Sequence, residues 1–124
     1  MKSRNLFFTV FIGMILFFSG CQNRGLKADA KRIGDVMCRN IEVMNKLKAT
    51  NPADTATVAK LQSQVEQVQN EMSVIYKEFG EKYAKKTKDP KFNKAFNREL
   101  RKAMLDCPSL SKQDRELFEK DLRE

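Results

Sequence analysis

The chain has no histidine and no tryptophan, and its prolines stand only at Pro52, Pro90 and Pro108. Without histidine, the commonest general base is missing, and a nucleophile–base pair of the usual kind is excluded. Zinc would have to be held without imidazole by a chain with only three cysteines, which argues against a zinc site. No glycine-rich phosphate loop is present. No Cys-x-x-Cys pair occurs, so thiol oxidoreductase chemistry has no motif to run on. Paired carboxylates are plentiful, but nothing in their spacing selects one pair. The expectation is therefore a protein that is not an enzyme and needs no cofactor and no metal.

The three prolines punctuate rather than unfold. Each falls where a helix can begin or end, because proline suits the first helical position and disfavours a helical residue before it. Before and between them the apolar residues recur at steps of three and four. From about Leu26 to Lys48 these are Leu26, Ala30, Ile33, Met37, Ile41, Met44 and Leu47. Such spacing lines one face of a helix. From about Pro52 to Lys86, Val58, Leu61, Val65, Val68, Met72, Ile75 and Phe79 repeat 3-4-3-4-3-4, a heptad seam. Asn51 is the expected N-cap of this second helix, with Pro52 at N1. Gly80 is a weak point within it, costing about 1 kcal/mol relative to alanine.

A third helix is expected from Asp89 as cap and Pro90 at N1, presenting Phe92, Phe96, Leu100, Ala103 and Met104 on one face and stopping at Cys107-Pro108. A short fourth begins at Ser111, which forms a capping box with Asp114. Its apolar residues are Leu117, Phe118 and Leu122. No strand-like alternation and no repeat is seen. The fold class expected is all-α: an antiparallel three-helix bundle with a long coiled-coil-like hairpin, plus a short C-terminal helix. A seam of this kind is ordinarily core. Association into a homo-oligomer through the second helix stays open, because Gln62, Gln64, Gln67 and Gln69 flank the seam.

The first residues follow another plan. Lys2 and Arg4 precede a run of strongly apolar residues from Leu6 to Phe18, interrupted only by Thr9 and Gly13. That run is shorter than the ~20 residues of an ordinary spanning helix. It has the three parts of a secretory signal: basic start, apolar centre, small residues at the cleavage site. The stretch FSGC, residues 18–21, resembles the lipobox of bacterial lipoproteins, with Phe18 at the place of the usual leucine. The resemblance covers residues 1–21 only. It implies cleavage before Cys21, acylation of Cys21 with palmitate or a similar chain, and a location in the bacterial cell envelope, facing the periplasm from one of its membranes. The alternative is an uncleaved membrane anchor with an incidental cysteine. On the lipoprotein reading, residues 1–20 are removed, 21–25 form a lipidated N-terminus and short linker, and 26–124 form the helical domain.

Cysteine counting fits. With Cys21 lipidated, Cys38 and Cys107 remain as an even pair in an oxidising compartment. Folding the first two helices about Asn51 places Cys38 level with Gln64. Folding the second and third between Thr87 and Lys88 places Cys107 level with Val68. The difference of four residues is roughly 6 Å. A disulfide is expected.

Charge is uneven. The whole chain carries +8, and without Lys2 and Arg4 it carries +6. Residues 82–102 hold nine basic and two acidic residues, while 52–81 are net negative at −3. Lys82, Lys85, Lys86, Lys88, Lys91, Lys94 and Arg98 form a candidate basic tip facing a membrane or another anion. Counting back along the helices puts Lys86 about 14 Å beyond Leu26 toward the anchor. The other reading is a solvated face. Export argues against nucleic acid as the partner. The bilayer, reached through the Cys21 acyl chains, is the expected primary partner, together with an envelope protein whose identity the sequence does not reveal. The favoured function is a non-catalytic interaction or scaffold module. A periplasmic chaperone or carrier with a basic helical surface, where Met37, Met44, Met72 and Met104 lend adaptability, is the alternative. A cell-wall-linked lipoprotein of the short coiled-coil type requires a final lysine, and this chain ends DLRE.

Overall fold

The computed structural model describes residues 22–124. The signal-like segment and Cys21 lie outside them. The described residues form four α-helices: α1 (Gln22–Ala49), α2 (Thr55–Lys82), α3 (Pro90–Leu105) and α4 (Lys112–Arg123). No strand occurs among the described residues. None of these helices is long and apolar enough to cross a membrane.

Helix α1 is the shared partner. Its backbone packs closely against α2 on one side and α3 on the other, and α4 packs on α3. This explains two residues that the single apolar stripe in the sequence left out. Val36 is 1% exposed and joins Ile33, Val68 and Ile75 in the main core. Gly34 is buried against α3. A helix with neighbours on two sides needs a wider buried face than one seam supplies. The heptad seam of α2 does turn inward: Leu61, Val68 and Ile75 are buried, and Met72 and Phe79 pack on the core.

Three ion pairs fix the direction and register of α1 against α2. Lys82 Nζ lies 2.7 Å from Asp29 Oδ2, Arg32 Nη1 2.7 Å from Glu78 Oε2, and Arg39 Nη2 2.7 Å from Glu71 Oε1. Numbers rise along one helix as they fall along the other, so the two run antiparallel. Helix α3 instead runs parallel to α1. Gly34 faces Ala103, and one turn later Cys38 is bonded to Cys107, both pairs being 69 residues apart.

Several boundaries differ from the sequence expectation. Helix α2 is capped by Asp54, whose carboxylate accepts from the Thr57 backbone N–H at 3.2 Å, not by Asn51. Asn51 Oδ1 instead accepts from the Ala53 N–H at 3.0 Å, closing an Asx turn that contains Pro52. At its other end α2 stops at Lys82 rather than Lys86. Tyr83 is the C-cap, and residues 84–88 are all exposed, so none of them extends the buried face. Residues 22–25, expected as linker, form the first turn of α1.

The register between α1 and α2 also differs. With Arg39 opposite Glu71, Cys38 comes level with Met72 rather than Gln64. The connection is not a tight reversal at Asn51, and α2 begins beyond the level where α1 ends. The caps of α3 and α4 stand as expected. Asp89 accepts from the Lys91 N–H at 2.9 Å with Pro90 in the first turn. Ser111 Oγ accepts from the Asp114 N–H at 3.1 Å and donates to the Asp114 carboxylate at 2.7 Å. In α4 only Phe118 packs inward on the cluster of Met104, Cys107 and Leu110. Leu117 is 51% exposed.

Candidate functional site: the basic turn beside the start of α1

The N-terminal end of α1, the C-terminal end of α2 and the start of α3 meet at one end of the molecule. Their contact is aromatic. Phe79 lies 4.7 Å from Tyr83 and 4.6 Å from Phe96, centroid to centroid, and Tyr83 lies 5.1 Å from Phe92. Aromatic pairs at such distances add about 0.5–1.5 kcal/mol each beyond their burial. Through these rings α2 and α3 touch, although their backbones stay apart.

Asp29 ties this end together. Its Oδ2 accepts from Lys82 Nζ and from the Tyr83 hydroxyl, both at 2.7 Å. The Lys82 ammonium also sits 5.3 Å from the Tyr83 ring centroid. Desolvation, then the bond to Asp29, holds the Tyr83 phenol above its ordinary range. The same carboxylate raises Lys82. Lys82 is therefore a structural cation, although the sequence placed it in the basic tip.

The chain then turns through residues 83–88. Backbone N–H groups of Lys86 and Thr87 donate to the Tyr83 carbonyl at 2.8 and 3.1 Å, and the Asn93 amide donates to the Thr87 carbonyl at 2.8 Å. This ordered turn presents Lys85 and Lys88, and α3 continues with Lys91, Lys94 and Arg98, all exposed. Lys86 has a partner of its own. Farther along, Arg101 pairs with Asp121 at 3.1 Å and Lys102 with Glu99 at 3.0 Å. The expected tip is thus one exposed surface, minus Lys82.

The constant offset between α1 and α3 brings Lys91 level with Gln22, Lys94 with Gly25 and Arg98 with Asp29. The α3 part of the surface lies beside the first two turns of α1.

Elsewhere, polar side chains serve the architecture. An open groove between α1 and α2 is lined by Asp29, Arg32, Glu78 and Lys82, all ion-paired across it. The disulfide Cys38–Cys107 joins α1 to the end of α3, with Cα atoms 5.6 Å apart. Beside it lies a contact that the sequence did not reveal. The Arg115 guanidinium donates to the carbonyls of Leu105, at 2.6 Å, and Cys107, at 2.9 Å. One side chain from α4 thereby satisfies carbonyls at the C-terminal end of α3, where intrahelical partners run out.

No family model, no curated protein and no solved structure matches this chain.

Proposed function

We propose that the protein is a lipid-anchored lipoprotein of the bacterial cell envelope and acts as a non-catalytic interaction or scaffold module. In this reading Cys21 carries the acyl chains, and the domain is a three-helix bundle whose α1–α2 hairpin is coiled-coil-like. The supporting observation is that α1 is continuous over 28 residues, from Gln22, the first described residue, to Ala49. A helix of that length spans about 42 Å. The helix is then a stiff spacer that holds the turn at residues 50–54 far from Cys21. Residues 51–57 at that far end are all exposed, as a partner surface requires.

The test has two parts. Mass analysis of the purified mature chain reads whether Cys21 is the N-terminus and acylated, and Cys21→Ser should leave the chain unacylated and uncleaved. A photoreactive residue in place of Thr55 reports the distal partner in living cells. One discrete protein adduct supports the scaffold. A broad set of adducts turns the assignment to a chaperone or carrier, which the exposure of Val74 (55%) and Tyr76 (47%) on α2 favours. Absence of acylation removes the lipoprotein reading.

A further inference from the structure

The cationic surface of α3 faces away from the fold. Phe92 and Phe96 are half-buried among the aromatic rings, Leu100 packs on both core clusters, and Met104 is 3% exposed. Lys91, Lys94 and Arg98 step by three and four on the opposite side of the same helix, all exposed. None of the three has a carboxylate within ion-pair distance among the described residues, and the same holds for Lys85 and Lys88 in the preceding turn. The nearby acids are Asp89, Glu99 and Glu81. The Asp89 carboxylate caps α3 on the Lys91 N–H, Glu99 holds Lys102, and Glu81 lies in the last turn of α2 before the basic turn. The surface therefore carries five cations held in no built-in ion pair, with Asp89 the one acid among residues 85–98, and its stripe on α3 ends where Arg101 meets Asp121.

Its location selects the partner. The apolar run Leu6–Phe18 enters the domain through Gln22, and Lys91 lies at that height. Membrane lies at this end whether the run is cleaved before a lipidated Cys21 or kept as an anchor. The dimension of the stripe then selects the posture. From Lys91 to Arg98 is about 10 Å along the helix axis. The headgroup region of one leaflet is only about 5–7 Å deep. A domain standing upright would bring the turn into the headgroups and leave Arg98 above them. A domain leaning onto α3 brings all five cations to the surface.

We propose that the domain lies against the membrane on the outer face of α3, with Lys91, Lys94 and Arg98, continued by Lys85 and Lys88, bound to anionic phospholipid headgroups. This deepens the lipoprotein reading by naming its lipid contact, and it also holds for an uncleaved anchor. Each cation near an anionic bilayer is worth about fivefold in partitioning. The lean projects the hairpin tip sideways rather than straight out.

The test places a photoreactive residue at Ala95, which is exposed beside Lys91, Lys94 and Arg98, at Lys88 on the turn, and at Gln69 on α2. The full chain is expressed in cells and its adducts are read by mass. The expected result is lipid adducts at both 95 and 88, none at 69, and loss of the adduct at 95 in Lys91→Gln/Lys94→Gln/Arg98→Gln. In a second arm, purified residues 22–124, which hold the whole described fold without the apolar run, are sedimented with phosphatidylcholine vesicles, with and without phosphatidylglycerol. Binding should require phosphatidylglycerol and fall on the order of 100-fold in the triple variant at low salt. The three residues are exposed, and an unchanged circular dichroism spectrum shows the variant folded. Lipid adducts at 88 alone would mean an upright stance and overturn the proposal. So would a protein or polymer adduct at 95, or vesicle binding indifferent to phosphatidylglycerol. If Cys21 proves unacylated while position 95 still captures lipid, the lean stands and the lipoprotein reading fails.

Discussion

Gly34 on α1 and Ala103 on α3 approach so closely that a β-carbon on Gly34 would lie 2.9 Å from that of Ala103. Neither atom can rotate away, because each is fixed to a helical backbone. Gly34→Ala should therefore push α1 and α3 apart one turn from the disulfide. Overpacking costs about 1–3 kcal/mol, against a helix-propensity gain of about 0.5–1 kcal/mol. Urea unfolding should show a net loss of about 1–2 kcal/mol. Adding Ala103→Gly should recover part of it. A double variant no more stable than Gly34→Ala would remove the close approach as the cause.

Gly80 makes the opposite case. A β-carbon there would meet nothing within 4 Å, and the residue is helical and exposed. Gly80→Ala should stabilise the protein by about 0.5–1 kcal/mol. A rise in thermal midpoint checks it, and a fall would show that glycine itself is needed at this position.

The disulfide closes a loop across a sequence separation of 69. In the chain-entropy account that is worth about 4 kcal/mol. Cys38→Ser/Cys107→Ser should lower stability by about that amount, a large part of the total for a domain this small. Equilibrium unfolding with and without reductant should show the same loss in the wild type and none in the double variant.

Arg115 binds the carbonyls of Leu105 and Cys107. Hydrogen bonds from a charged donor are each worth about 1.5–3 kcal/mol, less where water competes. Arg115→Ala should cost about 2 kcal/mol and speed hydrogen exchange in the last turn of α3. Arg115→Lys should recover only part, because an ammonium lacks the planar fork that spans two carbonyls. Full recovery would reduce the contact to one of charge alone.

Stability should fall at high pH through the Asp29 cluster. Tyr83 and Lys82 both hold their protons more tightly folded than unfolded, Tyr83 through desolvation and then Asp29, Lys82 through Asp29. The folded state then binds more protons than the unfolded one above about pH 10. The stabilisation is complete below that value and is lost as pH rises through the folded-state values. Glu71, held low by Arg39, and Asp54, held low by Thr57, have the opposite sign. Their contribution is present above the ordinary carboxylate range and fades on acidification below about pH 4. Urea midpoints across pH should show a plateau between these limits, and Tyr83→Phe should flatten the alkaline fall. An unchanged alkaline limb in that variant would assign the loss to other groups.

What the sequence determined by itself was local. Apolar steps of three and four, a proline after Asp89 and a serine before Asp114 each act within one or two turns, so the helical class and the caps of α3 and α4 were readable. Pairing Cys38 with Cys107 was readable from cysteine counting. What only the tertiary structure decided was how the helices meet. The Asx turn at Asn51 competed with the cap expected there, and with α2 starting at Thr55 the register moved from Gln64 to Met72 opposite Cys38. Val36, Gly34 and Arg115 gain their roles only because α1 has two neighbours and α4 returns over the end of α3. The basic residues were legible as a cluster, but a list of charges has no heights or directions. The backbone approach of Gly34 to Ala103 sets Lys91 beside Gln22, and Asp29 withdraws Lys82 from the cluster. Side-chain period is a property of one helix, whereas register and charge pairing arise from contacts between residues distant in sequence.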